Sequence, residues 1–131
     1  MNSGLEFHYS RVSSVKSKHE VVTVMFESAY LHRSEGVPGR DKGTGWVQPG
    51  SLEFTSASLT GTVDIGEGWI VDGSLRVDGA DEVGLIPVPF NVAGTVAATF
   101  TFHNGCVLQV SGKSARLTLT GEARFVEAFP G

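Results

Sequence analysis

Apolar and polar residues alternate with a period of two through much of this chain, and that rhythm confines it to antiparallel sheet. The alternation is most complete over residues 57–77. With a turn at Gly66, Glu67 and Gly68, Ile65 faces Trp69, Val63 faces Val71, Leu59 faces Leu75 and Ala57 faces Val77. Ser58, Thr60, Thr62 and Asp64 then lie on the other side, against Arg76, Ser74, Asp72 and Ile70. A slip of one residue would turn every apolar group to water, so the pattern predicts a hairpin with one face in the core.

A second alternating run covers 92–102, with Val92, Gly94, Val96, Ala98, Phe100 and Phe102 on one side. A tight Asn104-Gly105 hairpin would set the phenylalanines opposite Val107 and Gln109. A longer turn, His103-Asn104-Gly105 with a left-handed glycine, instead pairs Phe102 with Cys106, Phe100 with Leu108 and Ala98 with Val110. The hydrophobic pattern therefore selects the turn with a bulge. Reading 111–114 as a further turn sets Val110 against Ala115 and Leu108 against Leu117, which predicts a three-stranded meander over 92–120.

Elsewhere, Leu5–Tyr9 reads as a first strand and the serine-rich stretch Arg11–His19 as a loop. Glu20–Leu31 fits either a strand or a helical stripe. Its branched valines favour the strand, with apolar residues on both faces and hence a central or contact position. Ser34–Gly45 is glycine-rich and charged, which predicts a mobile surface loop; its glycines lack the spacing of a phosphate cradle. Inward positions change parity between Phe54 and Ala57, predicting a bulge or bend near Ser56. Pro87 and Pro89 place 86–90 at a sheet edge or a crossing. Phe125 and Phe129 mark a final strand ended by Pro130 and Gly131.

Together these elements predict an all-β chain, an antiparallel β-sandwich of about eight strands in a single domain over 1–131. A closed β-barrel is the alternative. At 131 residues the chain is long enough to bury a core without staples, and 17 glycines suit frequent turns. The lone Cys106 excludes an intrachain disulfide, and no apolar leader or membrane-length run is present, which gives a cytoplasmic expectation. A net charge of -4, without a Lys/Arg stripe, argues against nucleic acid, and no membrane partner is expected.

Reactive constellations are missing from the pattern. His8, His19, His32 and His103 have no metal-ligand spacing; His103 falls in a predicted turn and His19 and His32 flank a strand, which places them in solvent. The acids fall at turns or outward positions; Asp78, Asp81 and Glu82 lack the spacing of a calcium loop. Cys106 is expected to face the core as a small hydrophobe. No catalytic residue, metal or cofactor is therefore assigned. Gly61 and Gly73, facing each other in the predicted hairpin, mark a sheet bend or a notch that takes an aromatic ring such as Phe100 or Phe102; the functional alternative is a gap that admits a small apolar ligand beside Trp69. Thr99, Thr101, Val107 and Thr118 form an outward surface of small, uncharged side chains, the expected contact for self-association.

The reading that results is a non-enzymatic binding or assembly module forming a homo-oligomer. A small-molecule-binding sandwich or barrel with its pocket near Gly61, Gly73 and Trp69 is the alternative. A hydrolase or isomerase built from dispersed His, Asp and Glu groups ranks third.

Overall fold

The alternation is realised as one antiparallel sheet. The structure, a computed structural model, describes residues 1–61, 64–81 and 85–130. Its strands are β1 (Asn2–Lys18), β2 (Val21–Ser34), β3 (Gly43–Thr55), β4 (Ser58–Gly61), β5 (Ile70–Val77), β6 (Ala80–Asp81), β7 (Ile86–Val88), β8 (Phe90–Phe102), β9 (Val107–Leu119) and β10 (Arg124–Phe129). The described residues contain no helix. The sheet runs β6-β5-β8-β9-β3-β2-β1-β7, with β4 beside β9 and β10 beside β3. Thr62, Val63, Glu82 and Gly131 lie outside the described residues.

Bulges and bends fold this sheet onto a single core. The β1–β2 ladder is interrupted between Glu6 and Arg11, where Tyr9 has φ 73°. The β8–β9 ladder shifts between Ala93 and Val96, where Gly94 has φ 140°. The predicted bend at Ser56 is present, with φ 46°, and it carries the chain from β3 into β4 along the same edge of β9. Extra residues in one strand raise local twist, which brings the two halves of the sheet face to face. Phe54, Phe100, Phe102, Leu5, Leu31, Leu52, Ile70 and Leu108 are fully buried between them. Each such side chain contributes about 1.5–3 kcal/mol of burial free energy.

The halves meet where β1 crosses β5. The Phe7 ring stands edge-on to Phe100, with centroids 5.1 Å apart. A single bridge, Arg11 to Trp69, and a hydrogen bond from Val12 N–H to the Gly68 carbonyl (2.8 Å) join the two sides. One bridge is not a ladder, so the sheet is sandwich-like and does not close into a barrel.

Several expected elements form as read. The turn after β8 has Gly105 at φ 87°, its N–H donating to the Phe102 carbonyl, and Phe100 pairs Leu108 while Ala98 pairs Val110. Strand β2 is central between β1 and β3. The proline-bearing β7 sits at the sheet edge, and β10 lies where Phe125 and Phe129 placed a strand.

Three expectations are corrected. The hairpin over 57–77 does not form: Leu59 pairs Val110, and Leu75 pairs Ala98. A turn does exist at Ile65–Gly68, where Gly68 N–H bonds the Ile65 carbonyl, but its arms join different neighbours. The edge of β9 already carries β3, and β4 continues along it, while β5 takes the free edge of β8. A ladder shift between Ile70 and Asp72 also reverses the parity there, so Ile70 is 1% exposed and Val71 40%. Residues 111–114 are not a turn: β9 runs straight through, and its change of parity beyond Gly112 is absorbed as a shift against β8. Arg11–Lys18 is not a loop but the second half of β1, closed onto β2 by a two-residue turn at His19 (φ 52°) and Glu20 (φ 61°).

Candidate functional site

Among the described residues, strands β1 and β2 carry a polar cluster on the outer side of the sheet. Leu5 and Leu31 pair in the core, so their neighbours Glu6, Tyr30 and His32 turn to the outer side of the sheet. Glu6 lies opposite Tyr30, and the imidazole of His32 reaches diagonally to it, Nε2 to Oε2 2.7 Å. Buried Ser10 fixes this part of the strand across the bulge. Its hydroxyl donates to the Glu6 carbonyl (2.6 Å) and accepts from the Tyr30 N–H (2.9 Å).

Strand β10 then covers the cluster. Phe129 stacks on the His32 ring at 4.9 Å, and Tyr30 meets the same ring edge-on at 5.2 Å. The Tyr30 hydroxyl donates to a Glu127 carboxylate oxygen, over Gly45, where a Cβ would collide with it. Burial, reinforced by the bond to Glu127 and its charge, holds the Tyr30 phenol well above the usual range, so it remains a donor. Phe125 packs edge-on against Trp46 at 5.5 Å, securing the start of β10.

His32, expected in solvent, is therefore largely covered, its side chain 12% exposed. Glu6, expected at an outward wet position, is its partner. Glu6 accepts a hydrogen bond from the His32 Nε2–H. Nδ1 is buried and has no hydrogen-bond partner among the described residues.

Beside this pair the β2–β3 loop and β7 enclose a cleft of about 740 Å3, within the range of small-molecule sites. Glu6 and His32 line one part and Arg40 another. Val37, Pro38, Leu85, Pro87 and Val88 supply apolar wall. Leu85 fits between two glycines: a Cβ on Gly4 would come within 2.8 Å of it and one on Gly39 within 2.9 Å. Gly39 also has φ 81°, which favours glycine. The loop expected at 34–45 is tied at several points. Asn2 Nδ2 donates to the Gly36 carbonyl (2.7 Å), Val37 N–H to Asp41 Oδ2 (2.6 Å), and the Ser34 hydroxyl to the Lys42 carbonyl (2.6 Å). A second cleft, of about 630 Å3, lies between the roots of this loop and Ala128–Pro130.

The residues singled out from sequence are distributed differently. Gly61 pairs Leu108 and Gly73 pairs Phe100, with β9 and β8 between them, so they do not face each other. The notch at Gly73 is filled by an aromatic ring, that of Phe7: a Cβ there would stand 2.7 Å from Phe7 Cβ and 2.9 Å from its ring. Gly61, at φ 108°, lies hard against the Val107 carbonyl. Trp69 is 40% exposed, with the Arg11 guanidinium 5.2 Å from its ring centroid. Thr99, Thr101 and Val107 do share the outer face, and Thr101 pairs Val107 directly. Thr118 lies far along β9, opposite Ser51. Cys106 packs partly buried against the core, as expected. Asp78 accepts the Thr95 N–H (2.8 Å), and Asp81 pairs with Arg76 (2.9 Å).

Glu6, His32 and Arg40 were not singled out by sequence reasoning, because the signal lies in a register. A continuous ladder from the His19–Glu20 turn, as in Lys18–Val21 to Val15–Val24, would set Glu6 opposite Arg33. The interruption between Glu6 and Arg11 moves it to Tyr30 and so within reach of His32. No helix among the described residues is long and apolar enough to cross a membrane. Compared with family models, curated proteins and solved structures, the chain matches none, so the fold and this cleft are what bear on its function.

Proposed function

We propose that this chain is a non-enzymatic small-molecule-binding module whose ligand occupies the cleft between the β2–β3 loop, β1 and β7. The observation that carries the reading is the pairing of largely apolar walls with a few polar groups, Glu6 and His32 on one part and Arg40 on another, in a space of about 740 Å3. Binding is favoured over catalysis because the His32 Nε2 is already bonded to Glu6 and its Nδ1 is buried away from the cleft surface. The site is thus displaced from the Gly61–Gly73–Trp69 region, where a side chain fills the notch.

The test is an amide chemical-shift map with hexan-1-ol and hexanoate as probes. Shifts confined to residues 2–6, 37–40 and 85–88 are expected, and Val37→Trp, which fills the cleft from an exposed position, should abolish them. Shifts elsewhere, or none, would contradict the proposal.

Self-association through the outer face of β5, β8 and β9 is the second reading. Its support is the exposed or half-exposed uncharged patch of Ala97, Thr99, Thr101, Val107 and Gln109 on β8 and β9, bordered on β5 by Ser74 between the charged Asp72 and Arg76. A mass by light scattering above that of one chain, reduced by Thr99→Arg, would support it; an unchanged mass would remove it.

A further inference from the structure

Resting on the binding reading above, we propose that the ligand of the cleft is a small organic anion, a carboxylate or phosphate on a short apolar body. The argument is one of unmatched charge. Of the ionisable side chains on the cleft wall, Glu6 is engaged by His32 at 2.7 Å. Arg40 takes part in none of the ion pairs among the described residues, which join Arg11 to Glu27, His32 to Glu6 and Arg76 to Asp81. The nearest acid in sequence, Asp41, has its Oδ2 held by the Val37 N–H. A guanidinium presents paired N–H donors that match the oxygens of a carboxylate or phosphate.

The position of Arg40 is set in advance. Its N–H and that of Asp41 both donate to the Val37 carbonyl, at 3.1 and 2.8 Å, closing the loop tip into a turn. Gly39 beside it is pinned by Leu85, and Asn2 ties Gly36 to β1. The backbone that carries Arg40 is thus held before a ligand arrives, which lowers the ordering entropy of binding. Opposite it, Leu85, Pro87 and Val88 offer apolar surface to a hydrocarbon body. Among the described residues that line the cleft, the one acid a cation would meet is Glu6, which is already bonded to His32.

The experiment titrates hexanoate, hexyl phosphate, hexan-1-ol and hexylammonium into the labelled protein and follows the amides of residues 37–40. Both anions are expected to bind about five- to tenfold more tightly than hexan-1-ol, with hexylammonium weakest, and added salt should narrow the gap. Arg40→Gln should bring both anions down to the affinity of hexan-1-ol and leave hexan-1-ol unchanged. The order of the two anions identifies which headgroup the site prefers. If hexan-1-ol binds as well as hexanoate, or Arg40→Gln leaves the preference intact, the anion assignment falls while the binding reading stands. If no probe perturbs the cleft, both fall.

Discussion

Replacing Gly73 by alanine tests whether the meeting of the sheet's two halves is built as described. The new Cβ would stand 2.7 Å from Phe7 Cβ and 2.9 Å from its ring, distances that require Phe7 to move. Phe7 is buried and wedged edge-on against Phe100, so it has little room to retreat. Overpacking of this kind destabilises by about 1–3 kcal/mol. Phe7→Ala alone, which empties the notch, should cost about 3–5 kcal/mol. In the Phe7→Ala background the ring contacts at 2.9 Å are gone, and the Cβ that alanine keeps can draw back into the space the ring vacates. Gly73→Ala should there be neutral or stabilising by about 0.4–1 kcal/mol, because it restricts the unfolded chain. The double-mutant cycle therefore predicts a favourable coupling of about 2 kcal/mol. Urea unfolding followed by the fluorescence of Trp46 and Trp69 measures all four corners. Additivity to within about 0.5 kcal/mol would show that Phe7 does not fill the notch and would refute the argument.

Two further perturbations probe the support of the site. Ser10→Ala removes one hydroxyl that both donates to the Glu6 carbonyl and accepts from the Tyr30 N–H, leaving two buried backbone groups unpaired. A loss of about 2–4 kcal/mol is expected in denaturant unfolding; a change below about 0.5 kcal/mol would mean that water replaces the hydroxyl there. Tyr30 has its pKa raised above the ordinary 10.0, so folding favours its protonated form. The stability it contributes is complete below pH 10 and is lost as pH rises toward the folded value. In a Tyr9→Phe variant, where Tyr30 is the remaining tyrosine, tyrosinate absorbance should appear only when the protein unfolds in alkali. Smooth ionisation of the folded protein near pH 10 would contradict the burial of its hydroxyl beside Glu127.

The antiparallel architecture was legible because local periodicity encodes which residues face the core, and burial enforces it. Phe100 and Phe102 against Leu108 and Cys106, with the left-handed Gly105 between, is a case where turn chemistry and hydrophobic pattern agree. Pairing over longer distances was not legible. Residues 57–77 satisfy a hairpin register internally, yet β4 and β5 each gain more by joining the longer ladders of β9 and β8. Alternation alone does not say which edge a strand will join. Bulges were the other source of difference. The parity change near Ser56 predicts a bend and the one beyond Gly112 a turn, although both are interruptions within extended chain. The site depended on such an interruption, since the β1 bulge between Glu6 and Arg11 is what brings Glu6 beside Tyr30 and His32. Serine and tyrosine at Ser10 and Tyr9 carry no strong bulge signature, so neither the register nor the pair could be read in advance.

The central claim, that the cleft beside Glu6 and His32 is where this protein takes its ligand, is tested most directly by a crystal structure grown with hexanoate. The account predicts the carboxylate on the Arg40 guanidinium, the chain along Leu85, Pro87 and Val88, and the Glu6–His32 bond retained. Hexanoate bound beside Gly61 and Trp69, or a cleft left empty while the probe occupies the outer face of β8, would contradict it.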